Sequence, residues 1–136
     1  MKIVNKEFSL SSSNRNQMID ITGEVTSIAG KSGITNGEVV IYCPHTTAAV
    51  TINENADPSV QHDIVFVLED LIRPGRREYR HSEGNADSHA KSSIIGCSER
   101  VVIRDGTLVL GTWQGVFFCE FDGPRHRRVI VQVIGE

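Results

Sequence analysis

Apolar positions change their period several times along this chain, and each change marks a predicted element. Between Lys2 and Leu10, the apolar Ile3, Phe8 and Leu10 are set among polar neighbours, which predicts a strand followed by the loop Ser11-Ser12-Ser13-Asn14. From Asp20 the spacing becomes helical. Ile21, Val25, Ile28 and Ala29 recur at i, i+4, i+7 and i+8, predicting an amphipathic helix that stops near Gly30 to Gly33. Val39 to Cys43 has a buried-strand composition ended by Pro44, and Thr47 to Asn53 is a second strand rich in β-branched residues. Asp57 as N-cap and Pro58 at the first helical position start the clearest helix, in which Val60, Ile64, Val67, Leu68 and Leu71 mark one face up to Arg73-Pro74-Gly75. A polar loop, Arg76 to Gly84, leads to a short helix ending near Gly96. The remaining segments, Val101 to Arg104, Thr107 to Gly111, Val116 to Phe121 and His126 to Ile134, read as an antiparallel meander. Its first turn is the type I′ dipeptide Asp105-Gly106. This order implies an α+β fold.

Composition narrows the class. With 136 residues, 39% of them hydrophobic, the chain suits a single domain spanning residues 1–136. A net charge of -3 argues against a nucleic-acid binder, although Arg73, Arg76, Arg77 and Arg80 form a basic run suited either to the phosphate of a small ligand or to a solvated loop. Cys43, Cys97 and Cys119 are odd in number and lack CxxC spacing, which speaks against a disulfide framework or zinc ribbon and for a reducing compartment. No stretch approaches the roughly 18 apolar residues of a membrane span. A soluble, cytoplasmic protein without membrane contact is expected.

The densest chemistry is Asn85-Ala86-Asp87-Ser88-His89, where amide, carboxylate, hydroxyl and imidazole meet at a helix start. The tripeptide Asn55-Ala56-Asp57 repeats that signature before Pro58, so both aspartates are also plain capping candidates. His45, His81 and His89 lie in or next to polar turns, and three imidazoles from separate turns can converge on one ion. His62 and His126 are expected at the surface. A helix N-terminus disfavours imidazolium, so His89 is expected to tend to neutrality, and the same terminus attracts phosphate. Glu120 shares a strand face with Val116 and Phe118, where a carboxylate needs a cation, a hydrogen-bond partner or a raised pKa. Trp113, beside a turn, is a candidate pocket wall. Walker, GxGxxG, GxSxG and paired CxxC motifs are absent, which leaves metal- or phosphate-centred chemistry.

Four segments together resemble a known family. Pro44-His45-Thr46-Thr47-Ala48, Thr51-Ile52-Asn53-Glu54-Asn55-Ala56-Asp57-Pro58, Gly84-Asn85-Ala86-Asp87-Ser88-His89, and Leu110 to Gly115 continuing through Glu120 to Arg125 are similar to the YjbQ-like proteins, also called the secondary thiamine-phosphate synthase family. The resemblance implies two β-sheets in a sandwich-like core, with two main helices and one short one, assembled as a homotrimer. It also implies a weak thiamine-phosphate synthase activity, joining hydroxymethylpyrimidine diphosphate to thiazole phosphate. By motif, the pocket would hold His45, Asn53, Glu54, Asn55, Asp57, Asn85, Asp87, His89, Trp113, Gln114 and Glu120, with His81 nearby.

Three functions follow as expectations. In a transferase, His89, Asp87, Glu54 and Glu120 are the catalytic candidates. Asn53, Asn55, Asp57, Asn85, Trp113, Gln114, Arg76, Arg77 and Arg80 would bind the ligand, and magnesium on Asp57 or Asp87 would neutralise diphosphate. In a hydrolase or lyase, His45, His81 and His89 would hold zinc, with Glu54 or Glu120 as base. In a non-catalytic binder of a phosphorylated metabolite, the same groups only orient the ligand.

Overall fold

The computed structural model describes residues 1–136. Its elements in chain order are β1 (Lys2–Ser11), β2 (Gln17–Asp20), α1 (Thr22–Lys31), β3 (Gly37–Tyr42), β4 (Ala48–Glu54), α2 (Pro58–Leu71), α3 (Ala86–Ile95), β5 (Ser98–Arg104), β6 (Thr107–Leu108), β7 (Gln114–Glu120) and β8 (His126–Gly135). All pairings are antiparallel, in a five-stranded sheet of order β1-β8-β3-β5-β6 and a three-stranded sheet of order β2-β7-β4.

Alternation along the strands builds the core. Val39 and Ile41 of β3, Val101 and Ile103 of β5, and Val129, Val131 and Val133 of β8 pack against Ala48 and Val50 of β4 and Val116 and Phe118 of β7. Val25 and Ala29 of α1 join this cluster. The opposite face of the smaller sheet buries Ala49 and Cys119, together with Phe121, against Leu68 of α2 and Ile95 of α3. Three layers result: large sheet, small sheet, and the pair α2 and α3. No helix is long and apolar enough to cross a membrane.

Most predicted elements form within a residue or two of their expected ends, and the α+β class with two sheets holds. Asp105 and Gly106 both take positive φ, 51° and 75°, as a type I′ turn requires. Three details differ. β2 is not predicted from Gln17-Met18-Ile19-Asp20; it exists because it pairs with β7, from Gln17 opposite Glu120 to Asp20 opposite Phe117. Beyond the β5–β6 hairpin, the C-terminal strands are not sequential neighbours as in a meander. β7 is buried from Gly115 to Glu120 and takes the centre of the small sheet, while β8 inserts between β1 and β3. The helix expected to be short, α3, has 10 residues, as many as α1.

The two Asn-Ala-Asp segments fold differently. Asp57 caps α2 by accepting from the Ser59 N–H at 2.9 Å. At α3 the N-cap is Asn85, and Asp87 lies inside the first turn, fully buried. There it accepts a two-pronged bond from Arg15 at 2.9 and 3.0 Å and one from Lys91 Nζ at 3.0 Å. Burial pushes its pKa up, but the hydrogen bonds and charges of Arg15 and Lys91 overcome this and hold it at about 2. Ser88 and Ser92 donate to the carbonyls of Phe121 and Ala48, each at 2.6 Å, so α3 docks through polar contacts rather than an apolar stripe. On α2, by contrast, no residue is fully buried, and Phe66, Val67 and Leu71 are 61%, 55% and 70% exposed.

Because the folded pKa of Asp87 lies below its unfolded value, its contribution is complete above about pH 4 and is lost as pH falls through 2. That contribution is about 2 kcal/mol. Urea midpoints measured from pH 5 to pH 2 should fall for the wild type and vary less for Asp87→Asn. Parallel pH profiles would remove Asp87 from this role.

Candidate functional site

Where β7 ends and β8 begins, the inward faces of the two sheets carry charge instead of hydrocarbon. Glu120 continues the buried face of Val116 and Phe118, and Arg127 continues that of Val129, Val131 and Val133; they are 0% and 7% exposed. Arg127 Nε donates to Glu120 Oε1 at 2.8 Å, and its Nη2 bonds Oε2. The Ser12 hydroxyl donates to Oε1 at 2.6 Å and the Asp122 N–H to Oε2 at 3.0 Å. Burial works to raise the Glu120 pKa, but these bonds, led by that of Arg127, bring it below the usual carboxylate value. A carboxylate so fully engaged serves as an anchor for Arg127 rather than as a base. Arg127 Nη2 also donates to Thr47 Oγ1 at 2.9 Å, while Nη1 makes no bond within the chain.

Above this pair lies a cavity of about 340 Å³ with no hydrophobic residue in its wall. The β3–β4 connection supplies Pro44, His45, Thr46 and Thr47; the start of α3 and the loop before it supply Glu83, Asn85 and His89; Asp122, Arg125 and Arg127 complete it. Gly123 permits the tight β7–β8 turn here, since a Cβ would stand 2.2 Å from the Asn14 carbonyl oxygen.

His45 caps the sheet. β3 stops pairing with β8 at Tyr42 opposite Ile130, and the next free N–H of β8, that of Arg128, donates to His45 Nε2 at 3.0 Å. The Arg128 carbonyl lies 3.2 Å from the same nitrogen, yet a backbone N–H can only donate, which assigns the proton to Nδ1. Burial, with the charges of Arg127 and Arg128, lowers the His45 pKa and favours the neutral ring. Asn85 Nδ2 donates to Asp122 Oδ2 at 2.8 Å, and Arg125 Nη2 reaches the same oxygen at 3.0 Å. Asn85 Oδ1 is buried and has no partner. His89 meets the His81 ring edge to face at 5.2 Å, and His81 Nε2 is 3.6 Å from Glu83.

The structure thus brings His45, Asn85 and His89 to one cavity, with His81 against His89 and Glu120 beneath Arg127. Other candidates lie elsewhere. Asn53, Glu54, Asn55, Asp57, Trp113 and Gln114 gather at the far ends of β4 and β7, about 20 Å along the strands. Asn55 bonds the Trp113 carbonyl there, and Trp113 is exposed. Arg76, Arg77 and Arg80 are exposed on their loop and are not part of the cavity wall. Asp87 is bonded to Arg15 and Lys91 beneath α3. Nor is the expected three-imidazole centre assembled within one chain. No three His, Cys, Asp or Glu side chains stand close enough to share an ion, and His45 Nε2 is already bonded.

Arg127 is not among the candidates that the sequence suggests, and Thr47, Asp122 and Arg125 appear only within the family-like segments. The signal for Arg127 is present, because it shares the period-two face of Val129, Val131 and Val133. A larger hollow of about 620 Å³ borders α2 and Lys91, but its cations are committed: Arg15 and Lys91 to Asp87, Arg73 to Asp70. Burial pushes the Cys43 thiol up to about 11 and that of Cys119 to about 12, so neither is a ready nucleophile.

Fold and cavity define a class: α+β proteins with two antiparallel sheets and a largely polar hollow at one end of the sandwich. The chain belongs to the UPF0047 family of YjbQ-like proteins, whose profile, described as "UPF0047 protein YjbQ-like", matches residues 6–136. It is 50% identical over 130 residues to UPF0047 protein MJ1081 of Methanocaldococcus jannaschii, covering 96% of this chain and 94% of that protein. It is 49% identical over 131 residues to UPF0047 protein YugU of Bacillus subtilis, covering 96% and 98%. Among solved structures, a YjbQ/UPF0047 protein from Clostridium acetobutylicum superposes with a TM-score of 0.92 at 49% identity, covering 95% of this chain and 99% of that one. A protein of unknown function from Sulfolobus solfataricus, described as YbjQ-like, gives 0.95 at 34% identity, covering 99% of both chains.

Removing one member of the Glu120–Arg127 pair leaves the other charged and buried, so Arg127→Met and Glu120→Gln should each cost about 3–5 kcal/mol. The double variant should cost clearly less than the sum, as measured by urea unfolding. Strict additivity would show that the two side chains do not stabilise each other.

Proposed function

We propose that the cavity binds the phosphate end of a small metabolite, and that the chain is a cytoplasmic transferase of the thiamine-phosphate synthase kind. The reaction would join hydroxymethylpyrimidine diphosphate to thiazole phosphate and release diphosphate. One observation carries this reading: Arg127 lines a largely polar hollow with its guanidinium fixed through Nε and Nη2 and its Nη1 unbonded, beside the neutral His45, whose Nδ1–H is left free. Departure of diphosphate moves negative charge onto its oxygens, and preorganised donors stabilise that charge without having to reorient. Arg125, itself bonded to Asp122, lines the same hollow, and His89 adds a further imidazole. A divalent cation, magnesium in this chemistry, would enter with the diphosphate. The polar groups at the far ends of β4 and β7 would contribute only if a neighbouring copy brought them to the cavity.

The homotrimer that the family resemblance implies would give the exposed apolar side chains of α2 a place to be buried. A second copy of the chain would cover Phe66, Val67 and Leu71, which this chain leaves to water. Size-exclusion chromatography with light scattering should give three times the monomer mass for the wild type and a smaller species for Phe66→Asp/Leu71→Asp. A monomeric wild type would end the trimer proposal.

Calorimetric titration should show inorganic diphosphate binding to the wild type and about tenfold or more weakening in Arg127→Lys, which keeps the charge but loses the fork. His89→Ala should keep its melting temperature and lose turnover of the pyrimidine and thiazole pair. Binding without turnover in the wild type would leave a non-catalytic metabolite binder. No diphosphate binding would reject the cavity as a phosphate site.

A further inference from the structure

The uncommitted polar groups of the cavity fall into two chemically opposite sets. The β3–β4 connection and β8 contribute donors, Arg127 Nη1 and the Nδ1–H of His45. The segment leading into α3 contributes acceptors: Asn85 Oδ1 and the Glu83 carboxylate, whose nearest basic group, His81 Nε2, is 3.6 Å away. Asn85 is 7% exposed, and its Oδ1 is the one buried side-chain polar atom in the chain left without a hydrogen bond. Its orientation is fixed, because Nδ2 donates to the Asp122 carboxylate and a flipped amide would set oxygen against oxygen. Native proteins pair nearly all such atoms, so an orphan in a cavity wall points to a missing donor.

We propose that the ligand of this cavity is bipolar: besides the phosphate group taken by Arg127 and His45, it carries an amino or hydroxyl donor that bonds Asn85 Oδ1. This rests on the phosphate reading of the same cavity and narrows it to phosphate esters bearing an N–H or O–H group. A bare phosphate or an alkyl phosphate engages only the donors. It leaves Asn85 unpaired, and a site built to bond a donor discriminates against analogues that lack one.

Calorimetry with matched pairs tests this directly: phosphoethanolamine against ethyl phosphate, and glycerol 3-phosphate against propyl phosphate. The second pair carries a neutral donor and so separates hydrogen bonding from attraction of an ammonium to Glu83. In the wild type, the donor-bearing member of both pairs should bind about tenfold or more tightly. Asn85→Ala should lose the preference within both pairs. Equal affinities within the hydroxyl pair, with both members binding, would overturn the bipolar ligand and leave the phosphate site standing. Failure of all four esters and of inorganic diphosphate would instead overturn the phosphate site. The ligand comparison needs only the wild type, so it decides the matter even if Asn85→Ala fails to fold.

Discussion

Between the two sheets, at the end where hydrocarbon gives way to the cavity, Glu120 and Arg127 are buried as a mutually bonded pair. Glu120 is cut off from water and Arg127 nearly so, and each charge is tolerable only because the other is in place. Ser12 and the Asp122 N–H complete the carboxylate, and Thr47 takes a further guanidinium hydrogen. Four separate segments are thereby tied to one ion pair: the β1–β2 loop, the residues before β4, the end of β7 and the start of β8. The same bonds determine which guanidinium nitrogen remains free. Position and chemistry of the cavity therefore follow from a single constraint on two strand ends.

A second buried charge cluster shares a loop with the first. Ser12 reaches Glu120, and three residues later Arg15 reaches Asp87 beneath α3. Through Asp87, Lys91 and the serine bonds, α3 is fixed to β4 and to the end of β7, and its first turn presents Asn85 and His89 to the cavity. Asp87 thus acts on the site from below, by holding the helix whose N-terminus forms the wall.

Strand periodicity, capping residues and turn dipeptides are legible because they are local: Asp57-Pro58 begins a helix and Asp105-Gly106 reverses a hairpin wherever they occur. β2 is illegible because Gln17 to Asp20 is a strand only by virtue of β7. The passage of the chain from the large sheet at β6 to the small sheet at β7 is likewise invisible, since both sheets offer apolar antiparallel strands as neighbours. At the site, His45, Asn85 and His89 can be found from residue type and turn position. Asp87, Glu54 and Trp113 look equivalent to them in sequence, but Asp87 faces Arg15 and Lys91, while the other two lie at the far end of the strands. Arg127 escapes notice because three neighbouring basic residues suggest a surface, although its alternation with Val129, Val131 and Val133 turns it inward.

The most direct test is a crystal structure of the wild type soaked in inorganic diphosphate. Diphosphate oxygens within hydrogen-bond distance of Arg127 Nη1 and His45 Nδ1, with the Glu120–Arg127 bonds intact, is the result expected. Diphosphate bound on the Arg76 to Arg80 loop or at the far end of β4, with Arg127 Nη1 untouched, would contradict it.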